Sequence, residues 1–396
     1  MLVRFAVLAP ALVQPIQDPD NYLPLARSVA DGQGLRFRER LTAYRPPLYP
    51  LVLAPLVAAF GLGQRLNSAV AALHLALGGW TVALTASSAR RLGVSTFAAR
   101  LAAVLVAFDP VLIVQSRSVM TETLAAALLA AALCAASRNT NPGNALAGLA
   151  YGLLGLCRPS MLAAWALTSL AAFIASPKVA WRVRITRVSL LTLPAIAVLA
   201  PWALRNAQLF HEPVWTTTHA GYTLYLANNP VYYTAVVDGP PNSVWSGPEQ
   251  RAWFRKINGD AQGLPEPEAD RFFRQEALRF ISEHPHAFLR ATWQRILRFW
   301  GIAPAEAVYS LPLRILTAIW TVPFWLLVVR GSFRRTSWTW PNVAAPAAVI
   351  ALTLVHSIYW TDLRMRAPLV PALALLAANA CARAKNAVQE QAPPAS

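Results

Sequence analysis

A chain of 396 residues that is 56% hydrophobic and only 13% charged, with a mean hydropathy of +0.40, is too apolar and too poor in charge for an ordinary soluble domain. Its 35 Lys and Arg against 18 Asp and Glu leave a formal charge of +17, which in a soluble protein would point to nucleic acid; here most basic residues stand between apolar runs, where membrane topology accounts for them. Composition thus excludes a soluble nucleic-acid binder and predicts an all-α polytopic membrane protein.

Apolar runs fall near residues 2–16, 47–62, 67–88, 97–114, 120–137, 144–156, 159–175, 186–204, 311–329, 341–360 and 367–384. The first, MLVRFAVLAPALVQPI, has one arginine and no small-residue cleavage site, so it reads as a membrane helix; being short of the roughly 20 residues of a span, it is expected to start upstream. The run PPLYPLVLAPLVAAFGLG carries Pro46, Pro47, Pro50 and Pro55, and if it crossed the bilayer the next helix would deliver Arg90 and Arg91 outside. It is expected instead as a half-inserted or interfacial helix on the outer face. Cytoplasmic segments then hold Arg4; Arg90, Arg91 and Arg100; Arg138; Lys178, Arg182, Arg184 and Arg187; Arg330, Arg334 and Arg335; and Arg383 with Lys385. About ten spans follow, with both termini inside.

Two outer segments stand out. Residues 17–63 form the first outer loop of a membrane core over 1–204, and residues 205–310 form a long outer loop, which usually signals function. Residues 311–396 supply the last spans and a short cytoplasmic tail. Within the long loop, WTTTHAGYTLYLANNP leads to a Pro/Gly-rich part and then to a helical pattern in which Phe273, Phe280, Leu289, Trp293 and Leu297 recur, broken at Pro285. Arginines occupy the other face, so this part is expected to lie along the membrane surface.

The chemistry concentrates in DPDNYLPLARSVADGQGLRFRERLTAYRPPLYPLVLA, Asp18 to Ala54. Asp20 alone also fits a solvated cap on the following helix. Asp18 and Asp20 together with Tyr22 and Arg45 suit different chemistry, because a carboxylate at the interface can deprotonate an acceptor hydroxyl, and arginines can hold a phosphate and stabilise its charge as it leaves. On the same face fall Glu122 at the opening of a membrane helix, Arg158 between two apolar runs, Arg205 and Asn206 after the seventh span, and Arg364 and Arg366 ahead of the last one. Each has a plainer reading, as a first-turn acid for Glu122 and as snorkelling helix-end arginines for the rest; Asp109 fits a cap on a turn. No cofactor is certain. The DPD carboxylates can also hold a divalent metal, and His284 and His286 form an HxH pair without a third ligand. Cys134, Cys157 and Cys381 lie in apolar sequence at no metal-ligand spacing, and neither a glycine-rich phosphate loop nor a Ser/His/Asp arrangement is visible.

In order, DPDNYLPLA, a GQG turn, RPPLYPLVLAPLVAAFG, DP followed by SVMTETL, GLCRPS, PWALRNAQLF, the Asn-Asn-Pro stretch, EHPHAFLRATWQRILRFWG and RMRAPLVP resemble the GT-C membrane glycosyltransferases. The resemblance is to the branch related to protein O-mannosyltransferases and lipid A aminoarabinose transferases, and it covers nearly the whole chain. It implies a GT-C fold and transfer of a sugar from a polyprenyl-phosphate donor to an acceptor on the outer side. The family's catalytic aspartate opens Asp-x-x-x-Tyr, a role that carries to Asp18 with Asp20 secondary; Pro19 stands where many relatives have a second acid.

The expected function is therefore an inverting glycosyltransferase. Asp18 would be general base, Arg45, Arg158, Arg364 and Arg366 phosphate contacts, and the 205–310 loop part of the acceptor site. Expected partners are the lipid-linked donor, a glycan, lipid or protein acceptor and membrane lipids, with no nucleic acid. The Ala- and Arg-rich composition suggests a bacterial inner membrane. Rival readings are a transporter or flippase of a lipid-linked sugar, which would place charges near the midplane in two related halves, and an inert membrane scaffold.

Overall fold

Among the described residues most of the apolar runs become helices, three of them long and apolar enough to cross a bilayer. The computed structural model describes residues 2–9, 16–37, 40–240, 243–304 and 309–381. Its helices in chain order begin with α1 (Leu2–Leu8), α2 (Tyr22–Ala30) and, after a two-stranded ribbon of β1 (Arg36–Phe37) and β2 (Arg40–Leu41), α3 (Leu48–Phe60). Next come α4 (Gln64–Arg91), α5 (Thr96–Ala107), α6 (Pro110–Gln115), α7 (Glu122–Ala136), α8 (Asn141–Cys157), α9 (Leu162–Ile174) and α10 (Trp181–Phe210). After the segment described below, α16 (Leu311–Ser332), α17 (Ala344–Ile358) and α18 (Val370–Ala380) complete the set.

Among the described residues, α4, α10 and α16 are long and apolar enough to cross a membrane, which together with the composition makes this an integral membrane protein. The 13 residues of α3 reach only about 20 Å, short of the ~30 Å hydrocarbon core. Other runs are interrupted. Residues 97–114 divide at Asp109, whose Oδ1 accepts the Leu112 N–H (2.8 Å) to cap α6. Residues 159–175 open with a 3-10 turn at Pro159–Met161, and the last run opens with another at Leu363–Leu369. These breaks carry Arg158, Arg364 and Arg366 out of regular helix.

Small residues set the packing. All of α7 except Ala131 is buried, as is the whole of α18. Gly148 and Gly152, four apart on α8, lie so close to α10 that a Cβ would meet the Leu190 and Ala195 carbonyls at 2.7 and 2.8 Å. Cys134 and Cys157 are buried in this bundle.

Arg4 does not gather with Arg90 and Arg91 at one end of the bundle, as the arginine count expects. Its Nη2 donates to the Val106 carbonyl (2.7 Å) and its Nε to that of Ala107 (3.3 Å), while the side chain rests on Gly78 midway along α4. Arg90 and Arg91 lie at the opposite end of α5, about 18 Å along its axis. The carbonyls ending α5 lack intrahelical donors, and the guanidinium supplies them; charge counting cannot register that attraction. Arg383 and Lys385 lie outside the described residues.

Between α10 and α16 the chain builds α11 (Ala220–Ala227), α12 (Pro230–Tyr232), α13 (Pro248–Asp260), α14 (Glu266–Glu283) and α15 (Pro285–Phe299), the last two separated at Pro285 as the periodicity predicts. Tyr222, Tyr232, Tyr233, Trp245, Trp253 and Phe273 form a second, aromatic core. The segment is joined to α17 by the fully buried Arg295, which donates to the carbonyls of Ser357 (3.1 Å) and Ala227 (2.5 Å) and to Asn228 Oδ1 (2.8 Å). Asn228 donates to the Ile358 carbonyl (3.1 Å), and Asn229 caps α12. The Asn-Asn-Pro stretch is thus a joint. On α15, Leu289, Trp293 and Leu297 leave an exposed apolar stripe four residues apart.

Candidate active site

The acidic loop is set in place by a backbone contact that no local pattern announces. Gln17 forms a parallel bridge with Ser118, its carbonyl accepting the Val119 N–H (2.8 Å), so Asp18 stands beside the turn leading into α7. Asn21 then adopts a left-handed conformation (φ 58°), which points the first N–H groups of α2 back at Asp18. Tyr22 N–H donates to Asp18 Oδ1 (2.8 Å) and Leu23 N–H to Oδ2 (2.7 Å). The capping role considered for Asp20 therefore falls to Asp18. Each of its oxygens keeps a lone pair for another proton donor. Burial raises the Asp18 pKa above the ordinary carboxylate value against the lowering effect of those two bonds, with smaller contributions from Asp20 (raising) and Arg45 (lowering).

Asp20 instead pairs with Arg45, Oδ1 to Nη2 at 2.9 Å. Arg45 also lies over the Tyr44 ring (5.4 Å) and makes a long 3.5 Å contact from Nη1 to His219 Nε2. Because a guanidinium only donates, Nε2 accepts and the His219 proton resides on Nδ1. Burial, aided by Arg45, pushes the His219 pKa well below its ordinary value, so the ring is neutral. Tyr22 is buried edge-on against Tyr49 (5.2 Å), and burial raises its phenol pKa; its polar contribution to the site is its backbone N–H.

Opposite this loop, Glu122 opens α7 with 1% exposure, its Oε1 3.2 Å from Arg158 Nη1 and neither oxygen accepting a hydrogen bond. Arg158 reaches Met365 Sδ through Nη2 (2.6 Å), and Arg364 reaches Met120 Sδ through Nη1 (2.9 Å), so the two arginine breaks interlock. Asp362 accepts the Arg364 backbone N–H (2.9 Å) and pairs with its Nε (3.3 Å); burial raises the Asp362 pKa and Arg364 opposes it. Burial lowers the Arg364 pKa, but the carboxylates of Asp362, Glu122 and Asp20 more than offset it and leave the pKa raised.

Three other candidates serve different partners. Arg366 Nη1 donates to the carbonyls of Phe299 (3.3 Å) and Gly301, and its guanidinium stacks over Trp325 (4.8 Å), closing the end of α15. Arg205 donates to the Thr42 carbonyl (2.9 Å) and Asn206 Oδ1 (2.9 Å), while Asn206 donates to the Val214 carbonyl (3.1 Å).

A cavity of about 860 Å³ adjoins Asp362 and Arg364. Arg298 and Arg314 also line it, along with apolar side chains such as Val111, Leu313 and Trp360. Asp362, Arg298, Arg314 and His219 escape sequence reasoning. Arg314 had a signal, being the sole ionisable residue of its apolar run, and Asp362 stands two residues from Arg364. Among the described residues no three His, Cys, Asp or Glu side chains converge as a metal site.

Residues 58–158 match the family model of dolichyl-phosphate-mannose-protein mannosyltransferases. That stretch includes Glu122 and Arg158 but neither Asp18, Arg45 nor Arg364. Among solved structures, the archaeal oligosaccharyltransferase AglB from Archaeoglobus fulgidus, in complex with an inhibitory peptide and a dolichol-phosphate, shares the fold over 96% of this chain (TM-score 0.52, 13% identity). This chain spans 50% of that protein's length. ArnT from Cupriavidus metallidurans bound to undecaprenyl phosphate aligns over 96% of this chain and 76% of its own at 14% identity, with a TM-score of 0.44, too distant to add weight. No curated protein matches the sequence significantly. The resemblance to GT-C membrane glycosyltransferases related to O-mannosyltransferases is borne out by the family model and the shared fold.

Proposed function

We propose that this chain is an inverting glycosyltransferase that moves a sugar from a polyprenyl-phosphate donor to an acceptor hydroxyl at the outer face of a bacterial inner membrane. The observation that carries the reading is the position of Arg364, at the wall of a large, mainly apolar cavity and in contact with Met120, next to the Val119 that the Gln17 carbonyl ties to the acidic loop. An isoprenoid chain suits such a cavity, and its phosphate suits an arginine at the polar end, supported by Arg158, Arg298 and Arg314. Asp18, held by two backbone N–H groups with lone pairs to spare, takes the acceptor proton. The acceptor oxygen then bonds to the sugar carbon opposite the phosphate, the carbon–phosphate oxygen bond breaks, and the lipid phosphate leaves with the electron pair, its charge met by the arginines.

In this reading Asp20 orients Arg45 toward the charge that develops on the departing phosphate, Glu122 and Arg158 form the floor of the site, and Arg205, Asn206 and Arg366 hold the framework. A GT-C topology of about ten spans accommodates the short and interrupted helices, with α3 and the α15 stripe in the outer interface. The segment between α10 and α16 would shape the acceptor site, and the membrane-core division at 204 and 310 follows from it.

The test is transfer from a panel of radiolabelled polyprenyl-phosphate sugars by the protein reconstituted in lipid, with membrane extract as acceptor, comparing wild type with Asp18→Asn. Label reaching an acceptor only with wild type supports transfer and names the donor. Label crossing the bilayer unchanged, equally in both, would replace the transferase with a flippase.

A further inference from the structure

The stretch that carries Arg45 to Asp20 leaves the β1–β2 ribbon after Leu41, and by Ala43 no ladder remains to pair its backbone. Its buried backbone groups must find partners elsewhere. Thr42 N–H donates to the Leu35 carbonyl (3.0 Å), and the Thr42 carbonyl accepts from Arg205 (2.9 Å). The Ala43 carbonyl accepts the Thr218 N–H (3.1 Å), which leaves the Ala43 N–H. That group donates to Glu266 Oε2 at 3.0 Å, and the same oxygen accepts the Thr218 hydroxyl at 3.0 Å. One carboxylate oxygen therefore closes a ring through three segments, one of them 223 positions away in sequence. Ala43, Thr42 and Thr218 are all buried, so their polar groups depend on the half-buried Glu266 carboxylate that reaches in to them.

Glu266 opens α14, where an acid is ordinarily explained by the helix dipole. Glu268, exposed in the same turn, answers to that explanation. Glu266 directs its oxygen to Ala43 and Thr218 instead. Thr218 is followed by His219, which touches Arg45, so the stretch 42–45 is held by this segment at both its start and its arginine.

We infer that Glu266 is a positioning residue for Arg45: its carboxylate clamps Ala43 and Thr218 together and thereby sets the guanidinium against Asp20. The functional consequence rests on the transferase reading; the clamp itself does not. Neither Asp18 nor the Glu122–Arg158 pair touches Glu266, so loss of the clamp should disturb one side of the site only.

The experiment compares wild type, Glu266→Ala and Glu266→Gln as full-length protein in lipid, by amide hydrogen exchange and by steady-state transfer. In Glu266→Ala, exchange over residues 42–45 should rise about tenfold while α2 stays protected, because the clamp opens locally. Turnover at saturating donor should fall about tenfold with donor KM changed less than about twofold. Glu266→Gln, whose amide oxygen accepts both bonds, should stay near wild type in both. In an Arg45→Ala background, Glu266→Ala should add less than about a further twofold loss, since the effect travels through that arginine.

Wild-type exchange in Glu266→Ala, a Gln variant as impaired as the Ala variant, or full additivity with Arg45→Ala would each overturn the inference. If Glu266→Ala does not fold, Glu266→Met, which keeps the volume without the oxygen, is read by the same criteria. A wild-type protein that transfers no sugar would overturn the functional reading alone, leaving the exchange measurement to decide the clamp.

Discussion

Asp18→Asn separates the two roles proposed for that side chain. The carboxylate accepts the Tyr22 N–H through one oxygen and the Leu23 N–H through the other, at 2.8 and 2.7 Å. An amide oxygen can keep one bond; the amide nitrogen then faces an N–H it cannot serve. Losing a capping acceptor costs about 0.5–2 kcal/mol. The substitution also removes a partly buried charge, the same burial that raises the Asp18 pKa, and this acts in the opposite direction. Stability should therefore change by less than about 2 kcal/mol, whereas losing a general base removes about 10²–10⁴ in rate, or about 2.7–5.5 kcal/mol of barrier. Thermal unfolding in detergent beside transfer kinetics in lipid measures both. A folded Asn variant that keeps more than about a tenth of wild-type turnover would refute the assignment. The pH dependence gives a second check. Because the folded pKa is raised, transfer should fall as pH drops through a value above the ordinary 3.8, and Asp18→Asn should lack that limb. The stability contribution runs the other way: the folded state takes up this proton first, so acidification through the raised pKa stabilises it until the unfolded value is reached.

Glu122→Gln leaves Arg158 with a buried, uncompensated charge and should cost about 3–5 kcal/mol in denaturant or thermal unfolding, part of which Glu122→Gln with Arg158→Gln recovers; equal stability of single variant and wild type would show the pair to be solvated. Arg364→Gln should raise the donor KM about tenfold or more, as loss of a charge-assisted contact worth about 1.5–3 kcal/mol does, while Arg366→Gln should lower stability and leave KM unchanged. The reverse pattern would move the phosphate to Arg366. His219 has a folded pKa below the ordinary 6.5, so the unfolded chain takes up a proton that the folded one refuses as pH falls below that value. Stability should decline between about pH 7 and pH 5, and His219→Gln should flatten the decline in a denaturant series; an unchanged slope would mean that the ring protonates freely in place.

Much of the site was present in the sequence as residue types in order. DPDNY, the glutamate of SVMTETL, the arginine of GLCRPS and the first arginine of RMR come together around the turn into α7, because each lies where an apolar run stops and a polar side chain must find partners near the interface. The interruption of the helical pattern at Pro285 was equally legible, since proline has no N–H to continue the ladder. What periodicity could not reveal is which partner each side chain takes. Asp18 rather than Asp20 caps α2 because of a single left-handed residue, Asn21. Arg366 turns to the carbonyls ending α15 though it stands two residues from Arg364, because the intervening 3-10 turn sends the two side chains apart.

Residue order and composition were enough to place this chain in a membrane, to gather its acids and arginines between apolar runs, and to make that gathering resemble sites for lipid-linked sugars. These properties depend on composition and local order, which burial in a bilayer constrains strongly. Tertiary structure alone decided that Arg4 answers the carbonyls of α5, that Arg45 meets His219, and that Glu266 closes the backbone of Ala43. Those contacts join residues more than a hundred positions apart, and they form because a buried N–H, carbonyl or charge must be satisfied by whatever the fold brings beside it.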